Sequence, residues 1–180
     1  MEVGWAMADQ ARQVGSDHGL ELRPVQPSRK KLRPGDIFVM RAATGQHLYG
    51  RVVAVDLPED RAPLPGCNMI YVYDILREAA EPVPIAELTP DRLLIPPMFI
   101  NRLGWSRGYM QTVAHTDLTA EDLLEQHCFV DYLRRGYVDE KGKQLPARTD
   151  PCGEWGLASY LVLSDYVHKA LRGEQPVADI

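Results

Sequence analysis

Cysteine is scarce in this chain. Three occur in 180 residues, at positions 67, 128 and 152, and their wide, odd-numbered spacing fits reduced thiols in a cytosol better than a disulfide framework. Long apolar runs are missing as well. No window reaches the roughly eighteen consecutive apolar residues of a membrane span, so a membrane is not an expected partner. The opening MEVGWAMADQARQ sets Glu2, Asp9 and Gln10 where a signal peptide needs a basic end and an apolar stretch. Export by that route is not expected. Phosphate-cradling loops of the GxxxxGK[ST] and GxGxxG kinds are absent, and so are the CxxC and HxxxH pairs that announce zinc.

What is present is an ordinary globular composition. Hydrophobic residues make up 45% and charged residues 25%, which argues against wholesale disorder and against a fibrous repeat. The length suits one domain with one sizeable core. Twenty basic against twenty-five acidic residues leave a net charge of -5, a poor start for a non-specific nucleic-acid binder. The charge is uneven along the chain. Residues 1–34 balance at +2 (six basic, four acidic) and residues 35–180 at -7 (fourteen basic, twenty-one acidic). An acidic body favours a basic partner over a phosphate backbone.

Residues 1–30 read as a partly flexible arm, with a short helix over residues 6–14, then Gly15, Gly19, Pro24 and Pro27. The basic cluster Arg29-Lys30-Lys31 leads into a single domain over residues 31–180; basic clusters bind nucleic acid or lipid, though a solvated tail accounts for this one more simply. Pro34-Gly35 suits the centre of a type II turn. Strands follow at Asp36 to Met40 and His47 to Val55, antiparallel across the turn at residues 43–46. Gly50 in mid-strand predicts a bulge or bend that curls the sheet. Residues 57–66 are a proline-rich loop. Asn68 to Ile75 alternates Met69-Tyr71-Tyr73-Ile75 against Ile70-Val72-Asp74, the pattern of a central strand with two apolar faces.

A single helical turn is expected at residues 85–88, and an edge or kinked strand around Pro96-Pro97. Gly104-Trp105 opens a further run through Tyr109, Met110 and Val113. Thr119 caps a short helix, residues 127–133 look extended, and residues 137–145 read as a tight hairpin. Ser164 is placed as the cap of a C-terminal helix with an acidic first turn, a basic last turn and a stop at Gly173. The fold class is α+β: a mostly antiparallel curled sheet or small SH3-like barrel, with short helices and a C-terminal helix.

Chemistry-bearing residues are scattered. His115, Asp117, His127, Cys128, Cys152 and His168 are the available metal ligands, but their separations are irregular and no metal or other cofactor is expected. No nucleophile elbow of the GxSxG kind and no glycine-rich flank around any cysteine is expected, and Cys152, between Pro151 and Gly153 in a loop, is explained as a small packed side chain. Asp36 and Asp74 read as a turn cap and a solvent residue, so no catalytic residues are assigned. Tyr49, Arg51, Tyr71, Tyr73, Trp105 and Arg107 would make a base-stacking face if exposed; packing into the core is the simpler account.

The stretch KLRPGDIFVMRAATGQHLYGRVV, Lys31 to Val53, resembles the immunity protein 26 family of bacterial polymorphic-toxin systems, which pairs a PGDIF-like strand with a YGRV-like strand. The likeness continues in Tyr71-Val72-Tyr73-Asp74-Ile75, in Gly104-Trp105, in residues 137–143, and in Pro151-Cys152-Gly153 with the final helix carrying His168. The resemblance implies a non-enzymatic cytoplasmic protein that binds a cognate toxin domain and neutralises it by occluding its active site. A nuclease toxin with a basic cleft would suit an acidic inhibitor. The carboxylates offered for that contact are Glu78, Glu81 and Glu87, and Asp117, Glu121, Asp122 and Glu125. A nucleic-acid-binding or endoribonuclease small barrel of a toxin–antitoxin type is the alternative.

Overall fold

The computed structural model describes residues 22–177 and Ile180; the helix expected over residues 6–14 lies outside them. In chain order the strands are β1 (Leu22–Arg23), β2 (Asp36–Ala42), β3 (His47–Leu57), β4 (Cys67–Arg77), β5 (Leu93–Ile100) and β6 (Gln111–His115). The second half adds β7 (Cys128–Asp131), β8 (Gly136–Val138), β9 (Gln144–Leu145), β10 (Cys152–Glu154) and β11 (Leu157–Ala158). Two α-helices, α1 (Leu103–Ser106) and α2 (Tyr160–Leu171), complete the described residues.

The main sheet runs β1-β2-β3-β4-β5-β11, with β6 on the same edge of β2 as β1. A smaller sheet, β10-β7-β8-β9, packs beside it. Most pairings are antiparallel; β11 on β5 and β10 on β7 are parallel. The main sheet is curled and stays open, because β6 and β11 are not joined among the described residues. Register shifts in the β2–β6, β3–β4 and β4–β5 pairs supply the curl.

Alternation along the strands sorts the core onto two faces. Phe38, Met40, Leu48, Val52, Ile70 and Val72 meet Trp105 and the α2 residues Leu163, Tyr166 and Val167 on one face. Ile37, Val39, Tyr49, Tyr71, Tyr73 and Ile75 meet Leu88, Phe129 and Val138 on the other. The two-faced pattern read in β4 is therefore the pattern of a central strand covered on both sides. Gly50 leaves room for the ring of Phe38, its cross-strand partner on β2. A Cβ there would lie 2.2 Å from Cζ of Phe38, whose ring is held edge-on to Trp105 at 5.3 Å.

The Pro34-Gly35 turn forms as expected, with the Asp36 N–H donating to the Arg33 carbonyl at 3.0 Å and Gly35 at φ 92°. Three local expectations are corrected. The final helix begins five residues earlier than expected: Ser159 is its N-cap, accepting from the Leu161 N–H at 3.3 Å. Tyr160 to Leu163 continue the apolar spacing of Tyr166, Val167 and Ala170, so packing extends the helix back past Ser164. Its first turn holds no acid, Asp165 pairs with Lys169 at 2.8 Å in mid-helix, and Ser164 is buried against the Leu22 N–H. Gly104-Trp105 lies on α1, not on an extended run. The 137–145 hairpin closes through a five-residue loop in which Asp139 Oδ1 accepts from the N–H groups of Lys141 and Lys143, both at 2.9 Å.

Candidate functional site

Tyr49, Gly50 and Arg51 occupy the middle of β3, and the two side chains flanking the glycine share one face of the sheet. Each fastens a different loop. The Arg51 side chain is fully buried, and its Nη2 donates to the carbonyls of Thr116 and Asp117 at 2.9 and 3.3 Å. Its Nη1 lies 2.9 Å from Asp122 Oδ1. The other oxygen of Asp122 accepts from the N–H and hydroxyl of Thr119 at 2.7 and 3.0 Å, closing a capping box over the 3-10 turn Ala120–Asp122. Partial burial raises the Asp122 pKa, but the Thr119 hydrogen bonds and the Arg51 guanidinium outweigh it and hold the carboxyl below its ordinary value.

The Tyr49 hydroxyl donates to the backbone carbonyl of Glu81, fixing the loop between β4 and β5. Burial pushes its pKa up. In the same loop Glu78 accepts from Gln46 Nε2 at 2.9 Å, and Glu87 pairs with Arg77 at 2.5 Å and Arg92 at 3.6 Å. Leu88 drives into the core behind it.

Both loops therefore lie over one sheet face. Their anchors are two residues apart on a single strand, a separation of about 7 Å. The apolar residues Val83 and Leu88 of one loop and Leu123 and Leu124 of the other join the same cluster. Of the seven carboxylates picked from sequence, Glu78, Glu81, Asp117, Glu121 and Glu125 are exposed, and the Asp117 side chain is 100% exposed. Asp122 and Glu87 are half-buried and hold internal ion pairs. Sequence spacing treats the two acidic groups as separate, thirty residues apart; the tertiary fold sets both over one sheet face.

Behind this surface runs a buried polar chain. The Leu124 N–H donates to the Tyr71 hydroxyl at 3.1 Å, that hydroxyl lies 2.6 Å from His127 Nε2, and His127 Nδ1 faces Glu140 at 3.4 Å. The tautomer protonated at Nδ1 satisfies all three contacts. Burial lifts Tyr71 to about 12 and depresses His127, with Glu140 opposing the second effect. Such an order of groups has the form of a nucleophile, a base and an acid. However, Tyr71 is fully buried and His127 is 6% exposed, so the chain ties the smaller sheet to the larger one.

The remaining candidates are placed as follows. Cys128 and Cys152 sit opposite one another on β7 and β10 with their Sγ atoms 2.9 Å apart, both buried. Cys152 is thus in a strand and not in an open loop, and burial together with Cys128 pushes its pKa up. Among the described residues no group of three or more His, Cys, Asp or Glu side chains forms a cage for a metal ion. Tyr49, Arg51, Tyr71, Tyr73 and Trp105 are all at most 1% exposed, which removes them as a stacking surface for bases. Gly104-Trp105-Ser106-Arg107-Gly108 does spell the GxSxG pattern of a nucleophile elbow, which corrects the expectation that the chain has none. Ser106 ends the four-residue α1 and donates to the Leu103 carbonyl at 3.3 Å; among the described residues no histidine is bonded to it.

A cavity of about 690 Å³ lies between residues 26–33 and β6. Asp36 and His115 close one end, with Nδ1 of the ring 2.8 Å from Asp36 Oδ1 and Nε2 3.1 Å from Asp117 Oδ1. Asp36 also accepts from the Arg33 N–H at 3.0 Å, the turn-capping role expected of it.

Among known protein families, the model described as Immunity protein 26 matches residues 33–139. The matched span contains β2 to β8, both carboxylate loops and the Tyr49-Gly50-Arg51 segment that fastens them. No curated protein and no solved structure matches the chain.

Proposed function

The chain belongs to the immunity protein 26 family, and from that premise we propose that it binds a cognate toxin domain and neutralises it by covering the active site. The observation that carries this reading is the placing of residues 78–87 and 116–125 over one sheet face. Five exposed carboxylates stand there on loops pinned to one strand, so the negative charge is presented on a fixed frame. A preorganised acidic face associates quickly with a basic cleft and loses little freedom on docking. Inhibition by contact needs no catalytic group, and the buried Tyr71-His127 chain supplies none that a substrate can reach. The site of action is the cytoplasm, and the toxin a nuclease whose basic cleft matches the face.

Charge reversal separates the two loops. Glu78→Lys with Glu81→Lys, and independently Glu121→Lys with Glu125→Lys, are expected to slow association with the toxin about tenfold at low salt and far less at high salt. Unchanged rates for both pairs at both salt concentrations would sink the electrostatic contact. The nucleic-acid reading has the cavity beside β6 in its favour. Against it stand the buried rings, and the flanking of both His115 ring nitrogens by carboxylates.

A further inference from the structure

β6 is an edge strand with an unusual neighbour. Among the described residues it pairs only with β2, and Gln111–His115 make no backbone hydrogen bond to residues 26–33 across the cavity. Edge strands that must stay unpaired generally carry lysine, proline or another charge on the strand itself. Gln111-Thr112-Val113-Ala114-His115 carries no lysine, arginine, proline or carboxylate. The positive charge stands on the opposite wall, as Arg29, Lys30 and Lys31.

That wall is built. The Arg102 guanidinium donates to the carbonyls of Arg29 and Lys30 at 3.0 and 2.7 Å, and the Ser28 N–H donates to the Trp105 carbonyl at 2.8 Å. Arg29, Lys30 and Lys31 are exposed and have no carboxylate partner among the described residues, in a chain with net charge -5. Trp105, 1% exposed, also lines the cavity, and its indole Nε1 has no hydrogen-bond partner. One side-chain bridge, Gln111 Nε2 to Gln26 Oε1 at 3.4 Å, spans the gap.

We propose that this cavity is a docking groove for an extended acidic segment of a partner polypeptide, which adds as a strand to the free edge of β6 and sets its carboxylates against Arg29, Lys30 and Lys31. Main-chain hydrogen bonds along the edge give affinity and alternate side chains meet the basic wall. A five-residue strand offers about 17 Å of edge, a fit to a short segment. RNA fits less well. Stacking needs exposed tyrosine, phenylalanine or tryptophan rings, and the one such ring lining the cavity, Trp105, is 1% exposed. The groove is separate from the carboxylate loops, and its occupancy does not depend on the toxin contact proposed above.

The test uses the full chain and fluorescein-labelled octapeptides, followed by polarisation. Four Thr-Glu repeats are expected to bind, while four Thr-Lys repeats and an eight-nucleotide uridine RNA are not. Combined Arg29→Glu, Lys30→Glu and Lys31→Glu substitution, at exposed positions, weakens the Thr-Glu peptide about tenfold or more. The Thr-Glu peptide methylated at every backbone nitrogen keeps every carboxylate and loses every backbone donor, so it binds about tenfold more weakly. Equal binding of the methylated and unmethylated Thr-Glu peptides would leave charge attraction without strand addition and overturn the proposal. Tighter binding of the RNA, or no peptide binding at all, would do the same. So would peptide binding that appears only after removal of residues 1–21, since the occupant would then be the chain's own stretch of four carboxylates and one arginine.

Discussion

Arg51 carries a full charge with its side chain wholly out of water, and everything that makes this tolerable comes from the loop it holds: two carbonyls and the Asp122 carboxylate. Removing one partner of such a pair leaves a buried charge exposed to its full desolvation cost. Asp122→Ala is therefore expected to lower stability by about 2 kcal/mol, read from denaturant midpoints at neutral pH. The folded pKa of Asp122 lies below its ordinary value of 3.8, so its contribution is present above that value and is lost as pH falls through the folded pKa. The gap between the parent chain and Asp122→Asn should close over that acid range; a gap that persists at all pH values would mean the carboxylate charge is not what Arg51 needs. At this scale Tyr49 and Arg51 were only partly legible. Their alternation marks a strand, but a buried arginine reads in sequence like any exposed one.

At the scale of elements, β3 is the organiser. Its outward alternation puts Tyr49 and Arg51 under the acidic loops, and Gly50 between them faces the other layer. An alanine at Gly50 would drive a methyl into Phe38, which Trp105 keeps from moving aside. Gly50→Ala is expected to cost about 1–3 kcal/mol, and Phe38→Leu in the same chain should restore part of it. Full additivity of the two losses in a double-mutant cycle would place the strain elsewhere. The strands β2, β3 and β4 were readable because each has a period of two in apolar residues bounded by turn residues. β1, β10 and β11 were not. Two or three residues carry no period, and their pairing partners lie far away in sequence. The start of α2 was misplaced for a related reason: two serines both qualify as caps, and only the burial of Leu163 and Tyr166 selects Ser159.

The whole molecule is two sheets joined by a wet-looking seam that is in fact buried. Tyr71 belongs to the larger sheet and His127 lies next to β7 of the smaller, and their 2.6 Å contact crosses between them. Burial depresses the His127 pKa below its ordinary 6.5. A base with a lowered folded pKa stabilises the fold above its unfolded value and loses that contribution as pH falls toward the folded one. Stability should accordingly decline below about pH 6.5, and His127→Gln should flatten that limb of the profile while lowering stability at neutral pH. An unchanged acid limb in the variant would show that His127 does not couple the sheets to protonation. Charge is also segregated at this scale. Carboxylates crowd the loops over one face of the main sheet, and the unpaired cations of residues 29–31 line the groove beside β6.

Sequence alone determined the strand-rich α+β class, the central position of β4, the acidic balance and the family resemblance, because these follow from local periodicity, composition and motif order. The tertiary structure decided which carboxylates lie over the same sheet face. Residues 78–87 and 116–125 come to lie over it together only because Tyr49 and Arg51 point the same way from a single strand. Likewise, the cations near residue 30 become a groove wall only because β2 leaves β6 with one unpaired edge. Both are contacts between residues distant in the chain, fixed by packing and hydrogen bonds that no local pattern encodes.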